Sequence, residues 1–211
     1  MPFASDTRAE FTSLFSLYEW VMIGTTVVVF GTVLFAAIRY RRRPGRRPSG
    51  KSEANMAELV YALILVGVVA LLVTRTFTTE NRVDAVASNV KQHVEVTAFK
   101  WGWRFAYPGS GVAVVGDNRR PPTLHLPVGE PVVFAERSQD VVHSFWVPAL
   151  RFKRDAWPDD TVEFELTVDR PGVYAGRCAE FCGLHHADMT FTVVAESPAR
   201  YRRWLAHEAS K

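Results

Sequence analysis

Residues 161–168 read TVEFELTV. Val162, Phe164, Leu166 and Val168 alternate with Glu163, Glu165 and Thr167, the period of two that marks a strand with one apolar and one polar face. Working outward, HVEVTAFKW (93–101), TLHLPV (123–128), PVVFAERS (131–138), VVHSFWV (141–147) and MTFTVVA (189–195) are further strand-like runs. Pro, Gly and Asp punctuate them in PVGEP, AWPDD and DRPG. So many short strands across residues 91–196 predict an all-β Greek-key sandwich or barrel, long enough to bury its own core. Beyond it, Ser197 suits an N-cap and Pro198 a first helical position, so a short terminal helix is expected over 197–211, packing Tyr201, Trp204 and Leu205.

Upstream the pattern changes. Trp20 to Ile38 carries no charged residue, and at about 1.5 Å per residue such a helix covers roughly the ~30 Å hydrocarbon layer of a bilayer. A second run, taken as 57–78, admits only Glu58 and Arg75 near its ends, where charges reach the headgroups, and Glu80 lies beyond it. The linker between them, 39–56, opens with RYRRRPGRRPSGK: six arginines, one lysine and no acid. Dense basic charge beside a span marks the cytoplasmic side, so a two-helix transmembrane hairpin is expected, with both termini and the β domain outside. A soluble, nucleic-acid-binding basic loop is disfavoured by its two apolar flanks. The segment 1–19 lacks the basic start of a cleaved signal peptide. Residues 80–211 hold 16 Lys+Arg and 17 Asp+Glu, so the +3 of the whole chain comes from the linker, and the outer domain, joined through 79–90, is nearly neutral.

Both cysteines lie in CAEFCGLHHADM, residues 178–189. Two cysteines outside the cytoplasm can pair as a disulfide. Their company favours another reading: Cys178, Cys182, His186 and Met189 follow C-x3-C-x3-H-x2-M, and thiolate, imidazole and thioether together favour copper. A further imidazole is wanted, and VVHSFWV supplies His143. His185 adjoins His186, and adjacent side chains in an extended loop point apart, so one of the two is expected to reach a metal. His93, His125 and His207 lack soft neighbours and read as surface or hydrogen-bonded histidines.

The hairpin, the aromatic run FKWGWRFAYP, HSFWVPALRFKRDAWP and CAEFCGLHHADM together resemble subunit II of heme-copper cytochrome c oxidases, with wording nearest the actinobacterial members. The resemblance implies a cupredoxin-like domain holding a dinuclear copper centre, CuA. It implies Cys178 and Cys182 as bridging thiolates, His143 and His186 as terminal imidazoles, and Met189 and the Glu180 carbonyl as weak ligands. The Glu180 carboxylate would face a magnesium shared with subunit I. Trp101 resembles the tryptophan through which electrons arrive, Asp140 and Asp155 match acidic positions near the cytochrome c docking face, and Glu58 matches a glutamate at the mouth of a proton pathway. As lone acids these three also read as solvated or interfacial groups, and Trp103, Phe105 and Tyr107 read as strand core.

The function so implied is that of a respiratory oxidoreductase and translocase subunit in a bacterial plasma membrane. Single electrons pass from cytochrome c, soluble or held in a supercomplex, to CuA and on to the heme of subunit I, for dioxygen reduction coupled to proton pumping. Alternatives are a tethered copper-delivery protein and the CuA subunit of a nitric-oxide-reducing enzyme. Nothing in the chain suggests bond-making chemistry of its own.

Overall fold

The computed structural model describes residues 7–41, 45, 54–87 and 89–211. The chain divides into two compact units, one of Thr12–Glu80 and one built chiefly from Asn81–Lys211.

The first unit is helical. Helix α1 spans Thr7–Arg39 and α2 spans Asn55–Val83, 33 and 29 residues, and both are long and apolar enough to cross a membrane. Each outruns its predicted span, because the flanking residues TRAEFTSLFSLYE and TENRV hold no proline or glycine to stop a helix. Their apolar side chains find little cover within the chain: Phe30 is 72% exposed, and no described residue of α2 is buried. Such surface is stable in lipid rather than in water. The Tyr18 and Thr76 hydroxyls meet at 2.7 Å between the helices, and Thr25 and Thr78 donate to the carbonyls of Val21 and Thr74 one turn back, so these hydroxyls are satisfied without water. Residues 1–6 and most of the basic linker 39–56 lie outside the described residues.

The second unit is a sandwich of two five-stranded sheets. Its strands are β1 (Gln92–Phe99), β2 (Gly102–Tyr107), β3 (Val112–Asp117), β4 (Thr123–Pro127), β5 (Val132–Ser138), β6 (His143–Val147), β7 (Phe152–Ala156), β8 (Val162–Leu166), β9 (Gly172–Cys178) and β10 (Thr190–Glu196). One sheet has the order β3-β2-β1-β5-β8 and the other β4-β10-β9-β6-β7. The pairs β1/β5 and β4/β10 are parallel, which hairpins alone cannot produce, so the chain crosses between sheets as a Greek-key fold requires. The residue types of β3, β7 and β9 carry little apolar/polar alternation: β3 is VAVVGD, β7 is FKRDA, and β9 holds glycines at 172 and 176. Gly176 in β9 is required by packing, since a Cβ there would stand 2.1 Å from the Phe191 ring.

The inner faces meet in an aromatic core. Phe134 stacks on Phe164 at 4.9 Å, Phe145 on Phe191 at 4.7 Å, and Trp103 packs edge-on to Phe191. Trp103, Phe105 and Tyr107 are buried in it, as their alternation along β2 predicts. The outer face of β8 departs from expectation: Glu165 is buried, because its carboxylate accepts the Ala87 N–H at 2.9 Å from the segment after α2. Helix α3 (Pro198–Ala209) begins after Ser197, whose side chain makes no capping hydrogen bond. It closes one end of the sandwich with Tyr201 buried and Trp204 stacked on His125 at 4.0 Å.

Candidate metal centre

The pairing of β6 with β9 sets Phe145 opposite Cys178, which brings the end of β9 beside the start of β6. The following loop returns at once to β10, and the Cys178 N–H donates to the Met189 carbonyl at 2.8 Å, pinning its two ends together. His143 is therefore delivered by β6, Cys178 by the last residue of β9, and Cys182, His186 and Met189 by the loop.

These donors converge. The two sulfurs are 3.9 Å apart and both cysteines are free thiols. His143 Nδ1 lies 3.7 Å from Cys178 Sγ, His186 Nδ1 lies 3.6 Å from Cys182 Sγ, and Met189 Sδ lies 3.8 Å from Cys182 Sγ. The Glu180 carbonyl oxygen is 3.2 Å from Cys178 Sγ, while the Glu180 residue itself is exposed. His143, Cys178, Cys182 and Met189 are buried.

Electrostatics prepares the set. Burial holds the His143 imidazole below its ordinary pKa, only partly offset by Asp140, so the ring is neutral. Its Nε2–H donates to Asp140 Oδ1 at 2.9 Å, which leaves the Nδ1 lone pair facing the sulfurs. Burial raises the Asp140 carboxyl, but the His143 hydrogen bond and the N–H groups of Val141 and Lys100 outweigh it and hold the carboxyl below the usual range. Burial, reinforced by the neighbouring Cys178 thiol, pushes the Cys182 thiol up to about 12. A bound cation would make the Cys182 thiolate stable here, because a coordinating thiol is deprotonated by its metal.

The residue types fit copper. Thiolate and thioether are soft donors, and imidazole also suits copper. An imidazole flanks each sulfur, so the arrangement is close to symmetric about the cysteine pair. Bound there, copper would supply one-electron redox chemistry; the chain's own part is to hold the donors, exclude water and fix the imidazole tautomer.

The family model described as cytochrome C oxidase subunit II, periplasmic domain, matches residues 110–197. The probable cytochrome c oxidase subunit 2 of Streptomyces coelicolor is 31% identical to this chain over 250 residues, covering 97% of this chain and 78% of its own length. The chain belongs to the cytochrome c oxidase subunit 2 family. Within that family, the cytochrome c oxidase subunit 2 of Alkalihalophilus pseudofirmus is 34% identical over 192 residues, 88% of this chain, and the chain spans only 54% of that relative's length. The periplasmic domain of subunit II of cytochrome oxidase from Bradyrhizobium japonicum shares the fold, with a TM-score of 0.53 at 23% identity over 59% of this chain and 98% of that one. The chain thus pairs two apolar helices with a cupredoxin-like domain and a terminal helix, and its relatives include actinobacterial members.

The other residues marked in the sequence fall at several places. Trp101 lies between β1 and β2, and its indole N–H donates to the Cys182 carbonyl at 3.2 Å, joining it to the donor loop. Asp140 directs its carboxylate inward, to His143, Val141 and the Lys100 N–H. Its position three residues before His143 was the available signal for that contact. Asp155 sits on β7, 3.1 Å from Lys153 Nζ, and Glu58 lies in the first turn of α2 in the helical unit. The loop at 185–188 is a tight turn rather than extended chain, with His186–Asp188 forming a 3-10 turn, yet the two histidine rings still diverge. His186 faces Cys182, and His185 packs edge-on to Trp101. His93 and His207 are exposed, and His125 Nδ1 meets Glu196 Oε1 at 3.0 Å.

Proposed function

We propose that this chain is the electron-accepting subunit of a membrane-bound cytochrome c oxidase. Its outer domain takes single electrons from cytochrome c, stores each on two copper ions at the Cys178/Cys182 pair, and passes it to heme in subunit I, where dioxygen is reduced and protons are pumped. The observation that carries the reading is the convergence of two free, buried thiols 3.9 Å apart with one imidazole nitrogen within 3.7 Å of each. A donor set shared between two metals lets one charge spread over both, so little rearrangement accompanies each transfer.

On this reading Cys178 and Cys182 would hold both coppers, His143 and His186 would hold one each, and Met189 and the Glu180 carbonyl would be weaker ligands. The Glu180 carboxylate, exposed in this chain, is free to face a magnesium shared with subunit I. Trp101, hydrogen-bonded to the backbone of a bridging cysteine, receives the electron. Asp140 and Asp155 lie toward the cytochrome, and Glu58 opens a proton path. The helices α1 and α2 would sit in a bacterial plasma membrane with both termini and the copper domain outside.

The deciding experiment is copper analysis with electron paramagnetic resonance on the purified full chain after copper loading. Two coppers per chain, with hyperfine structure of one electron shared by both nuclei, are expected. A single copper with a one-nucleus pattern would instead indicate copper delivery, and a Cys178–Cys182 disulfide without copper would end the metal reading.

A further inference from the structure

Three consecutive features of the donor loop converge on one side chain that holds no metal. The Cys182 carbonyl accepts the Trp101 indole N–H at 3.2 Å. Gly183 has φ +114°, a conformation open to glycine, and a Cβ there would stand 3.3 Å from Trp101 Cζ2. Glycine therefore meets both the backbone requirement and the close approach of the indole. His185 closes a further side, its ring centroid 4.8 Å from that of Trp101 with the planes at 84°. Such an edge-to-face arrangement is favourable because the positive ring edge meets the negative π-face. His185 Nδ1 is 3.7 Å from the Asp188 carboxylate, beyond hydrogen-bond distance, so the indole contact is what positions the ring.

The loop thus divides its two adjacent histidines between two tasks. His186 turns Nδ1 to Cys182 Sγ at 3.6 Å, and His185 turns to the indole. Trp101 is only partly buried, and a single hydrogen bond leaves an indole free to rock about its N–H axis. A second, lateral contact removes that freedom.

We infer that His185 is a positioning residue for electron uptake, holding the Trp101 indole through a perpendicular ring contact so that a donor touching it is coupled to the copper pair through the Trp101–Cys182 hydrogen bond. The inference rests on the proposed role of Trp101. In the step concerned the donor loses one electron and the copper pair gains one; no bond forms or breaks, and His185 exchanges neither electron nor proton.

The test compares H185A, H185F and W101A in the assembled oxidase, alongside the full chain labelled with 15N-tryptophan and free of metal. In the labelled chain, the indole resonance missing from W101A identifies Trp101. H185A is expected to speed solvent exchange of that indole N–H, and H185F, which restores an aromatic ring, to return it toward wild type. In the oxidase, H185A is expected to slow electron uptake about tenfold at saturating donor, as misplacement of a reacting group does, with the copper resonance unchanged and the rate recovered in H185F. Unchanged indole exchange and unchanged uptake in H185A, with W101A slow, would overturn the role of His185 and leave Trp101 as the receiving group. A normal rate in W101A would overturn both. If H185A disturbs the copper resonance, the metal-free indole measurement and H185F decide: wild-type exchange in H185A, or no recovery in H185F, overturns the inference.

Discussion

His143 and Glu136 are both fully buried in the same sandwich, and their surroundings differ in one respect that matters. The His143 ring gives its Nε2–H to Asp140 and presents Nδ1 to Cys178, so each nitrogen has a defined neighbour. Glu136, on β5, makes no well-formed hydrogen bond at either carboxylate oxygen among the described residues, and neither does the buried Arg154 Nε beside it. Burial raises the Glu136 carboxyl well above its ordinary pKa; Arg154 and, more weakly, the Phe145 backbone oppose this, and Asp155 adds to it. The first cluster is polar groups arranged for a ligand, whereas the second carries the desolvation cost of polar groups without the hydrogen bonds that would offset it.

The sharpest way to break this comparison is at the cysteines. Cys178→Ser removes one shared thiolate and should abolish the two-copper resonance; a surviving shared-electron pattern would show that the pair does not bridge. Next in size, Asp140→Asn should weaken copper affinity about 10–100-fold, the usual effect of losing a carboxylate behind a histidine ligand, read by chelator competition. Measuring how donor oxidation by the same variant depends on salt separates this inward role from any part Asp140 plays in docking.

Glu136→Gln probes the other side of the comparison, in the copper-free chain. A carboxyl raised in the folded state binds more protons than its unfolded counterpart, so its contribution to stability is present at acid pH and is lost as pH rises above the ordinary carboxylate value toward the raised one. Glutamine removes that loss. Thermal unfolding from mildly acidic to alkaline pH should therefore show wild type losing stability faster than the variant, with the variant ahead at neutral pH. A variant less stable than wild type at neutral pH would mean that Glu136 is ionised and paired with Arg154. The smallest effect is expected from Met189→Leu, a swap of similar volume costing under about 1.5 kcal/mol in stability. Copper content should persist and the reduction potential should move; an unmoved potential would leave Met189 as core packing alone.

The fold was legible where local period and burial agree. TVEFELTV announces its strand because its apolar positions do face the core at Phe164 and Leu166. The same stretch misleads at Glu165, whose partner, the Ala87 N–H, lies 78 residues earlier. Along PVVFAERS, alternation puts Glu136 on the inner face with Val132 and Phe134, and no local signal says whether a cation waits there. The convergence of soft side chains within 178–189 was legible because a tight loop keeps near neighbours near. His143, 35 residues before Cys178, was nominated by the need for a further imidazole, but nothing in its local pattern says that its strand comes to lie beside the cysteines.

Features that depend on neighbours along the chain are written into the residue order: two helices apolar enough for a bilayer, the strand periods, and the soft donors collected in one loop. Tertiary structure decided what depends on groups distant in sequence. The β6/β9 pairing sets His143 against Cys178, Asp140 selects which His143 nitrogen is left bare, and Trp101, 81 residues before Cys182, supplies the surface on which His185 comes to rest. A side chain's intrinsic chemistry is carried in its identity, but its protonation, tautomer and partner are set by the dielectric and the neighbours that folding brings within a few ångströms.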